Sequence, residues 1–253
     1  MDTKLINSLL KLERRIAGVK LTKTKAEFDA YAAKNCVAPI PYCVAVRSAM
    51  LGYSLKFTSD NSGCWGSTRA LGLKPPKPEF YNGESGYGLG LFATREVAAA
   101  TAKKLPICQS DTYGVVVMPL EKFQSVPDVV LLTGTSRQCM RLLQGYSYFY
   151  GAYDKFCISG NQAVCEECTV FPLTTGRPNI SLLCSGTRYS AKWNDEEVMA
   201  GIPGEIFENV VNGVLHTVNG VEPDDRKTEI IAELNELGYS TEEIVLGDAY
   251  YLR

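Results

Sequence analysis

The stretch from Phe156 to Arg188 constrains this chain most, because it contains four of the nine cysteines in the protein. Cys165 and Cys168 form a C-x-x-C pair, a spacing at which two thiolates can reach one metal ion or one another. Cys184 follows a short apolar run and precedes a turn that contains glycine. A thiolate at the end of a strand, beside glycine, can be approached by a bulky inorganic group. The stretch therefore predicts a cofactor-binding segment.

The use of cysteine and histidine narrows the kind of site. Cytosolic thiols are kept reduced, so nine cysteines there indicate metal, redox or catalytic use rather than disulfides. His216 is the only histidine, which excludes sites built on several imidazoles, such as catalytic zinc or facial-triad iron.

Charge and hydropathy exclude other classes. The net charge of −2 gives no electrostatic basis for binding nucleic acid. No apolar run approaches the roughly 20 residues that span a bilayer, and the N-terminal segment lacks the apolar region of a signal peptide. We therefore expect a cytoplasmic protein without a membrane segment.

The alternation of helical and β-branched patterns predicts an α/β fold, with mixed α+β as the alternative. Tyr113–Met118, Val129–Thr133 and Ile180–Cys184 are apolar runs typical of buried strands. Asn194–Glu197 has the cap residue and first-turn acids of a helix start. We expect one globular unit over residues 1–253, organised around a central mixed sheet.

Two further patterns concern the surroundings of the cysteines. Residues 74–90 contain three prolines and four glycines, which predicts an exposed, irregular loop beside the cysteine-bearing face. Residues 46–54, followed by Cys64, resemble residues 140–147, followed by Cys165: in both, a helix with arginine ends in Gly-Tyr-Ser, and a later turn presents a cysteine. This internal similarity suggests a fold of two pseudo-repeated halves.

Several motifs resemble the family that carries the domain of unknown function 169 (DUF169), which is widespread in anaerobic bacteria and archaea. They are YCVAVR at 42–47, Cys64 followed by LGL at 71–73, PDVV at 127–130, AVC at 163–165, TGRP at 175–178 and SLLCSGTR at 181–188. The resemblance covers residues 37–214 and leaves a C-terminal helical extension over 215–253. It implies that Cys43, Cys64, Cys165 and Cys184 belong to the family pattern, and it brings no established activity.

The favoured interpretation is an iron–sulfur protein of anaerobic-type metabolism. Soft thiolates suit iron–sulfur clusters, and four convergent cysteines can ligate one 4Fe-4S cluster. We expect Cys43, Cys64, Cys165 and Cys184 as the ligands, with Cys168 in reserve. We expect the positively charged side chains of Arg47 and Arg188 to bind the cofactor. They would offset the negative charge of the cluster or hold an anionic substrate. A small-molecule substrate or an electron-transfer partner would follow, and a homo-oligomer is left open.

Other interpretations remain at this point. Free cysteine is often simply a buried small hydrophobe, and four thiolates can also hold a structural zinc ion. A thiol-based enzyme would use Cys64 or Cys165 as nucleophile and Glu166 or Glu167 as base. A binding module without a metal would hold a small anionic ligand with arginines at 47, 137, 141 and 188.

Overall fold

Seven strands form one mixed sheet in the computed structural model, which describes residues 2–247. The strands are β1 (Ala17–Thr22), β2 (Lys34–Asn35), β3 (Leu55–Thr58), β4 (Gly114–Pro119), β5 (Val129–Gly134), β6 (Asn179–Ser181) and β7 (Val198–Pro203). Their order across the sheet is β2-β3-β4-β1-β5-β7-β6. The pair β2–β3 is parallel, and every other described pair is antiparallel. The predicted α/β fold, a single unit around a mixed sheet, is confirmed.

The three runs predicted as strands are β4, β5 and β6, although β6 ends earlier than expected. The strand stops at Ser181, and Leu183 then adopts a left-handed conformation with φ 67°. A leucine in this region of φ/ψ space cannot continue an extended strand. The prediction of a strand as far as Cys184 is therefore wrong at its last residues, and Cys184 instead precedes a helix.

Helices cover both faces of the sheet. They are α1 (Lys4–Leu10), α2 (Lys25–Ala30), α3 (Tyr42–Met50), α4 (Trp65–Ala70), α5 (Pro78–Tyr81), α6 (Glu84–Gly88), α7 (Arg95–Ala102), α8 (Ser136–Tyr150), a π-helix (Ala163–Val170), α9 (Phe171–Thr175), α10 (Ser185–Ala191), α11 (Phe207–His216), α12 (Val218–Val221) and α13 (Asp224–Glu236). Because side chains alternate along a strand, Val129 and Leu131 of β5 face α3 and the π-helix, whereas Val130 and Leu132 face α8 and α11.

The predicted C-terminal extension packs on the second of these faces. Ile230 and Leu234 of α13 are fully buried in the same cluster as Ile6 and Leu9 of α1. The two ends of the described chain are therefore joined in one core. Residues 248–253 of the extension lie outside the described residues.

A close helix crossing holds this second layer together. Gly145 of α8 meets α11 so closely that a Cβ atom on it would lie 2.4 Å from the carbonyl oxygen of Val210. Gly213 of α11 has the reciprocal relation, since a Cβ atom on it would lie 2.1 Å from the carbonyl oxygen of Gly145. Only glycine allows two helix backbones to approach in this way.

The sheet contains two halves of similar strand order, which meet at β1 and β5. These two strands pair antiparallel at the centre, with Gly18 opposite Val130. In each half the first strand is central, the last is next to it and the middle one follows, which gives β1-β4-β3 on one side and β5-β7-β6 on the other, while the two-residue β2 adds an edge strand beside β3 only. The inner strands β4 and β7 both end in a proline followed by a 3₁₀ turn. When β2, α5–α7 and α9 are left aside, the order of strands and helices within the halves is also alike, β1–α2–α3–β3–α4–β4 and β5–α8–π-helix–β6–α10–β7.

The predicted correspondence between the halves is wrong in detail. Residues 145–147 lie inside α8 rather than at a helix end, and α8 packs on the face of the sheet opposite to α3. The counterpart of α3 is the π-helix, since both cover the same face and each lies between the first and the middle strand of its half.

The segment 74–90 is mostly exposed but is not irregular, so that part of its prediction is wrong. It contains α5 and α6. Pro78 occupies the first position of α5, where its fixed φ favours a helix start, and Gly83 adopts a left-handed conformation between the two helices.

Asn194–Glu197 forms a turn before β7 rather than the predicted helix start. The Glu197 carboxylate accepts a hydrogen bond from the backbone N–H of Asn194 and a bidentate pair from Arg14. This tertiary contact fixes the turn. Within residues 2–247, no helix is both long enough and apolar enough to cross a membrane.

Candidate functional site

Four cysteines line one cavity of about 440 Å³ on the sheet face that carries α3 and the π-helix. They are Cys43, Cys64, Cys165 and Cys184, the same four that the family resemblance singles out. Cys64 is exposed, Cys43 and Cys184 are half-buried, and Cys165 is buried. We call this space the four-cysteine cavity.

Each of these cysteines lies at the beginning of a helix. Cys64 and Cys184 are the N-cap residues of α4 and α10, Cys43 is the second residue of α3, and Cys165 is the third residue of the π-helix. In the order of elements within the two halves, Cys43 in α3 corresponds to Cys165 in the π-helix, and Cys64 before α4 corresponds to Cys184 before α10. Each half of the fold therefore contributes two thiols in matching positions.

Cys184 caps its helix with sulfur. Its backbone is extended, with φ −123° and ψ 162°, and its Sγ accepts a hydrogen bond from the backbone N–H of Thr187 at 3.4 Å. The Thr187 hydroxyl lies 2.9 Å from the same sulfur. The thiol thus takes the position that a serine or aspartate oxygen has in an ordinary N-cap.

Cys64 differs, because its side chain makes no capping hydrogen bond. Its carbonyl oxygen accepts from the hydroxyls of Ser67 and Thr68, at 3.0 and 2.8 Å. The N-terminus of α4 is tied down by these contacts while the Cys64 sulfur remains available at the cavity.

A short sequence repeat accompanies these two caps. Residues 64–69 read C-W-G-S-T-R and follow β3, and residues 184–188 read C-S-G-T-R and follow β6. This repeat is the signal in the sequence that could have identified the true correspondence between the halves.

The C-x-x-C pair does not act as a unit. Cys165 lines the cavity, whereas Cys168 is fully buried and its thiol donates to the carbonyl oxygen of Met199 at 3.6 Å. The backbone of Cys168 also presses on β7, where a Cβ on Gly201 would lie 1.9 Å from its carbonyl oxygen. Cys168 is therefore directed at the sheet and not at the other thiols, and it does not serve as the reserve ligand.

The π-helix that carries Cys165 is buried over its whole length. Helices of this type are rare and frequently occur at functional sites. Glu167 anchors it: its Oε1 accepts from the backbone N–H groups of Ser159 and Gly160, at 2.7 and 3.0 Å, and from the Ser159 hydroxyl at 3.0 Å. Its Oε2 accepts from the hydroxyl of Ser181 in β6.

Glu166 and Arg69 form a buried ion pair beside the cavity. The Arg69 Nη2 donates to Glu166 Oε1 at 3.0 Å, and the guanidinium lies 3.8 Å from the centre of the Phe80 ring. Burial raises the pKa of Glu166 to about 7, and the neighbouring Arg69 opposes that rise. Among the described residues, Arg69 Nε and Glu166 Oε2 are buried without a hydrogen-bond partner.

The thiols of the cavity oppose one another's ionisation. Burial raises the pKa of Cys43 to about 12, and the nearby Cys64 and Cys184 contribute to that rise. The pKa of Cys165 is also well above its usual range, first because of burial and then because of Glu166, Cys64 and Cys184, with Arg69 acting in the opposite direction. Four thiolates in this cavity therefore require a cation that compensates their charge.

Neither predicted arginine lines the four-cysteine cavity. Arg47 lies one turn beyond Cys43 on α3, and Arg188 donates to the backbone carbonyls of Leu182, Asn194 and Glu197. Since those carbonyls engage its guanidinium, Arg188 stabilises the chain around α10 rather than facing the thiols. The cation that lines the cavity is Arg69, which sequence reasoning did not identify.

The arginines expected in an anion-binding module are also engaged elsewhere. Arg137 and Arg141 both donate to Glu222, at 2.7 and 2.9 Å. Arg141 further donates to the carbonyl oxygen of Val214 at 2.8 Å, and it is almost fully buried. This network ties α8 to the α11–α13 region on the opposite face of the sheet.

The segment 74–90 lies beside the cysteines. Phe80 of α5, Ser85 of α6 and Leu89 line the cavity together with the thiols. At its rim, the Nζ atom of Lys77 lies 4.9 Å from the centre of the Trp65 ring. This segment covers part of the cavity in the manner of a lid.

The donor set fits an iron–sulfur cluster in its chemistry, since four thiols are the usual ligands of such a group. Within residues 2–247, no three or more His, Cys, Asp or Glu side chains are grouped closely enough to hold a single metal ion. All nine cysteines lie in this range, and none forms a disulfide there.

Comparison with known proteins gives the family. The chain is 28% identical over 219 residues to an uncharacterized protein of Methanocaldococcus jannaschii, a match that covers 85% of this chain and 93% of that protein. No solved structure matches it. The model of the family described as "Uncharacterised ArCR", DUF169, matches residues 5–213, which include all four cavity cysteines and begin well before the expected residue 37. The chain belongs to the DUF169 family.

Proposed function

We propose that the four-cysteine cavity binds a 4Fe-4S cluster through Cys43, Cys64, Cys165 and Cys184. The observation that carries this proposal is the arrival of four thiols at one cavity from four separate segments, two from each half of the fold. Incidental buried cysteines have no reason to occupy matching positions in both halves, whereas shared ligation of one group gives such a reason.

A cluster and a single metal ion require different spacings of the four sulfurs. In a cubane each thiolate binds a different iron, so the ligands stand apart by the size of the cluster. Ligands of a single zinc ion must all lie at about 2.3 Å from one centre. Metal and acid-labile sulfide content therefore distinguishes a cluster from a single ion.

The chain supplies charge compensation around this group. The backbone N–H of Thr187 already donates to the sulfur of Cys184, and Arg69 places a positive charge at the cavity. Both interactions would influence the reduction potential of a bound cluster. When bound, a 4Fe-4S cluster with four thiolate ligands would supply one-electron transfer.

A second candidate is thiol chemistry at Cys64 without a metal. The exposure of Cys64 at the cavity favours it, because a nucleophile must be accessible. Glu166 would serve as the general base, which requires a proton path to Cys64 across the cavity. The metal content of the purified protein distinguishes the two candidates.

The experiment is purification without oxygen, followed by analysis of iron, zinc and acid-labile sulfide. The proposal predicts a brown protein with about four iron and about four sulfide per chain. Zinc without sulfide would contradict the cluster in favour of a structural zinc site. A colourless protein without metal, also after reconstitution with iron and sulfide, would favour the thiol candidate.

Cysteine variants assign the ligands. Serine at each of positions 43, 64, 165 and 184 should lower the iron content, because an alcohol is a poor ligand for iron. Cys168→Ser and Cys139→Ser are the matched controls, since both cysteines are buried away from the cavity. Equal iron loss in the control variants would mean that instability, and not ligation, explains the result.

The proposal also includes the cellular location of the protein and its partners. We place it in the cytoplasm, where thiols stay reduced and a thiolate-bound cluster can persist. Its partners would be a small-molecule substrate or an electron-transfer protein, as the cavity beside Arg69 and the exposed Cys64 suggest.

A further inference from the structure

Arg69 lines the four-cysteine cavity, and most of its hydrogen-bonding capacity is unused. It is 6% exposed, donates one hydrogen bond, to Glu166, and its Nε has no partner among the described residues. Arg188, by contrast, donates to three carbonyl oxygens. A buried guanidinium has five N–H donors, and leaving them unpaired is costly.

The cavity offers those donors to a bound molecule. Arg69 is the only Lys or Arg among the described residues that line the four-cysteine cavity, and no Asp or Glu of that part of the chain lines it. A smaller cavity of about 70 Å³ continues from it beneath α5–α7 and shares Arg69, Phe80 and Leu89 as walls. Leu91, Phe92 and Leu105 extend these apolar walls. One buried cation therefore lies between the thiols and an apolar space.

We infer that the four-cysteine cavity contains a subsite for a small organic carboxylate with an apolar body. Arg69 binds the carboxylate, and Phe80 and Leu89 contact the apolar body. The inference deepens the proposed function, on which it rests for the chemistry of the substrate, because it places that substrate beside the cysteines.

The chemistry of Arg69 and Phe80 favours a carboxylate as the ligand. A guanidinium presents its N–H groups in a planar fork that matches two carboxylate oxygens, and such charge-assisted bonds are about twice as strong as neutral ones. Stacking on Phe80 fixes the plane of the fork in advance, which reduces the entropy lost on binding. Glu166 already neutralises part of the Arg69 charge, so its carboxylate competes with the ligand.

Two isosteric compounds test this subsite. 4-Fluorobenzoate and 4-fluorobenzamide have nearly the same shape and differ in charge, and ¹⁹F NMR measures the dissociation constant of each. We expect fluorobenzoate to bind at least about tenfold more tightly, the gain of a charge-assisted bond over a neutral one. Equal binding of the two compounds, or no binding of either, would overturn the inference.

Two variants assign the preference to Arg69. Glu166→Gln removes the competing carboxylate and should tighten fluorobenzoate binding several-fold without changing fluorobenzamide. Arg69→Gln in the Glu166→Gln background, which avoids an unpaired buried charge, should abolish the preference. Lys77→Gln, a change of an exposed cation at the rim, should leave it intact. A preference that survives in the double variant, or that depends on Lys77, would refute the role of Arg69.

The single Glu166→Gln variant decides the matter if the double variant does not fold, since unchanged or weaker fluorobenzoate binding there contradicts the inference. Titrations of both iron-loaded and chelator-treated protein separate this test from that of the cluster. A preference for fluorobenzoate in either form supports the subsite, and its absence from both overturns it. Iron and sulfide content is measured independently, so a protein without iron refutes the cluster and leaves the carboxylate preference readable.

Discussion

Glu167 should be one of the most important residues for the stability of this fold, although it does not line the four-cysteine cavity. It is fully buried, and its carboxylate accepts from two backbone N–H groups and two hydroxyls that belong to residues 159–160 and to β6. Glu167→Ala leaves the two backbone donors unpaired at about 1–3 kcal/mol each, while the hydroxyls can rotate. We therefore expect a loss of about 4 kcal/mol, a large part of the roughly 5–15 kcal/mol available to a typical domain. Glu167→Gln retains one acceptor oxygen and should lose only about 2 kcal/mol.

Urea unfolding followed by far-UV circular dichroism measures these differences on metal-free protein, so that metal binding does not add to the stability. Glu196→Ala is the control, because the Glu196 side chain is exposed and the change should stay within about 0.5 kcal/mol. A Glu167→Ala variant within about 1 kcal/mol of the original protein would show that the anchoring of the π-helix by this carboxylate is not as the structure describes.

Three further predictions concern packing, thiol reactivity and pH. Gly145→Ala should lower the free energy of unfolding in urea by about 3 kcal/mol, since its Cβ would lie 2.4 Å from the backbone of α11. Gly220→Ala should not destabilise the protein, because a Cβ there would meet no neighbouring atom within 4 Å. In metal-free protein Cys64 should react first with Ellman's reagent, as the exposed one of the nine cysteines; equal rates for a buried cysteine would contradict the structure. Burial raises the pKa of Glu197, but hydrogen bonds from its arginine and backbone partners outweigh this, and the net pKa is lowered. This stabilisation is present above the unfolded pKa of about 4.3 and is lost as the pH falls through the folded value, so Glu197→Gln should cost about 1 kcal/mol at pH 7 and nothing at pH 3. A difference in stability that does not change with pH would refute that ion pair.

Local sequence was sufficient to predict β4 and β5, because β-branched runs between polar boundaries indicate buried strands wherever they pair. It was insufficient for Asn194–Glu197, which has the residues of a helix start. There the Glu197 side chain is committed to Arg14, more than 180 residues away in the chain. The following residues pair with β5 instead. Contacts of this range override helix propensity and cannot be read from a short window.

The candidate site, like the fold, could be predicted from the sequence only in part. Resemblance to a family, and not spacing, indicated the four cysteines, and the C-x-x-C spacing was misleading because Cys165 and Cys168 point in different directions from one helix. Arg69 could not be chosen from the sequence, since its importance depends on a buried glutamate that only the fold brings near. The repeat of C-W-G-S-T-R and C-S-G-T-R was visible, but it becomes meaningful only when β3 and β6 are known to be equivalent.

The proposal that four cysteines hold a 4Fe-4S cluster is tested by the position of iron in crystals grown without oxygen. Anomalous scattering at the iron absorption edge locates that iron. We predict one compact iron site inside the four-cysteine cavity. The sulfurs of Cys43, Cys64, Cys165 and Cys184 should each lie at about 2.3 Å from an iron, as is typical of metal–thiolate bonds. Iron bound elsewhere in the chain, or a cavity whose four sulfurs contact no metal in protein reconstituted with iron and sulfide, would contradict it.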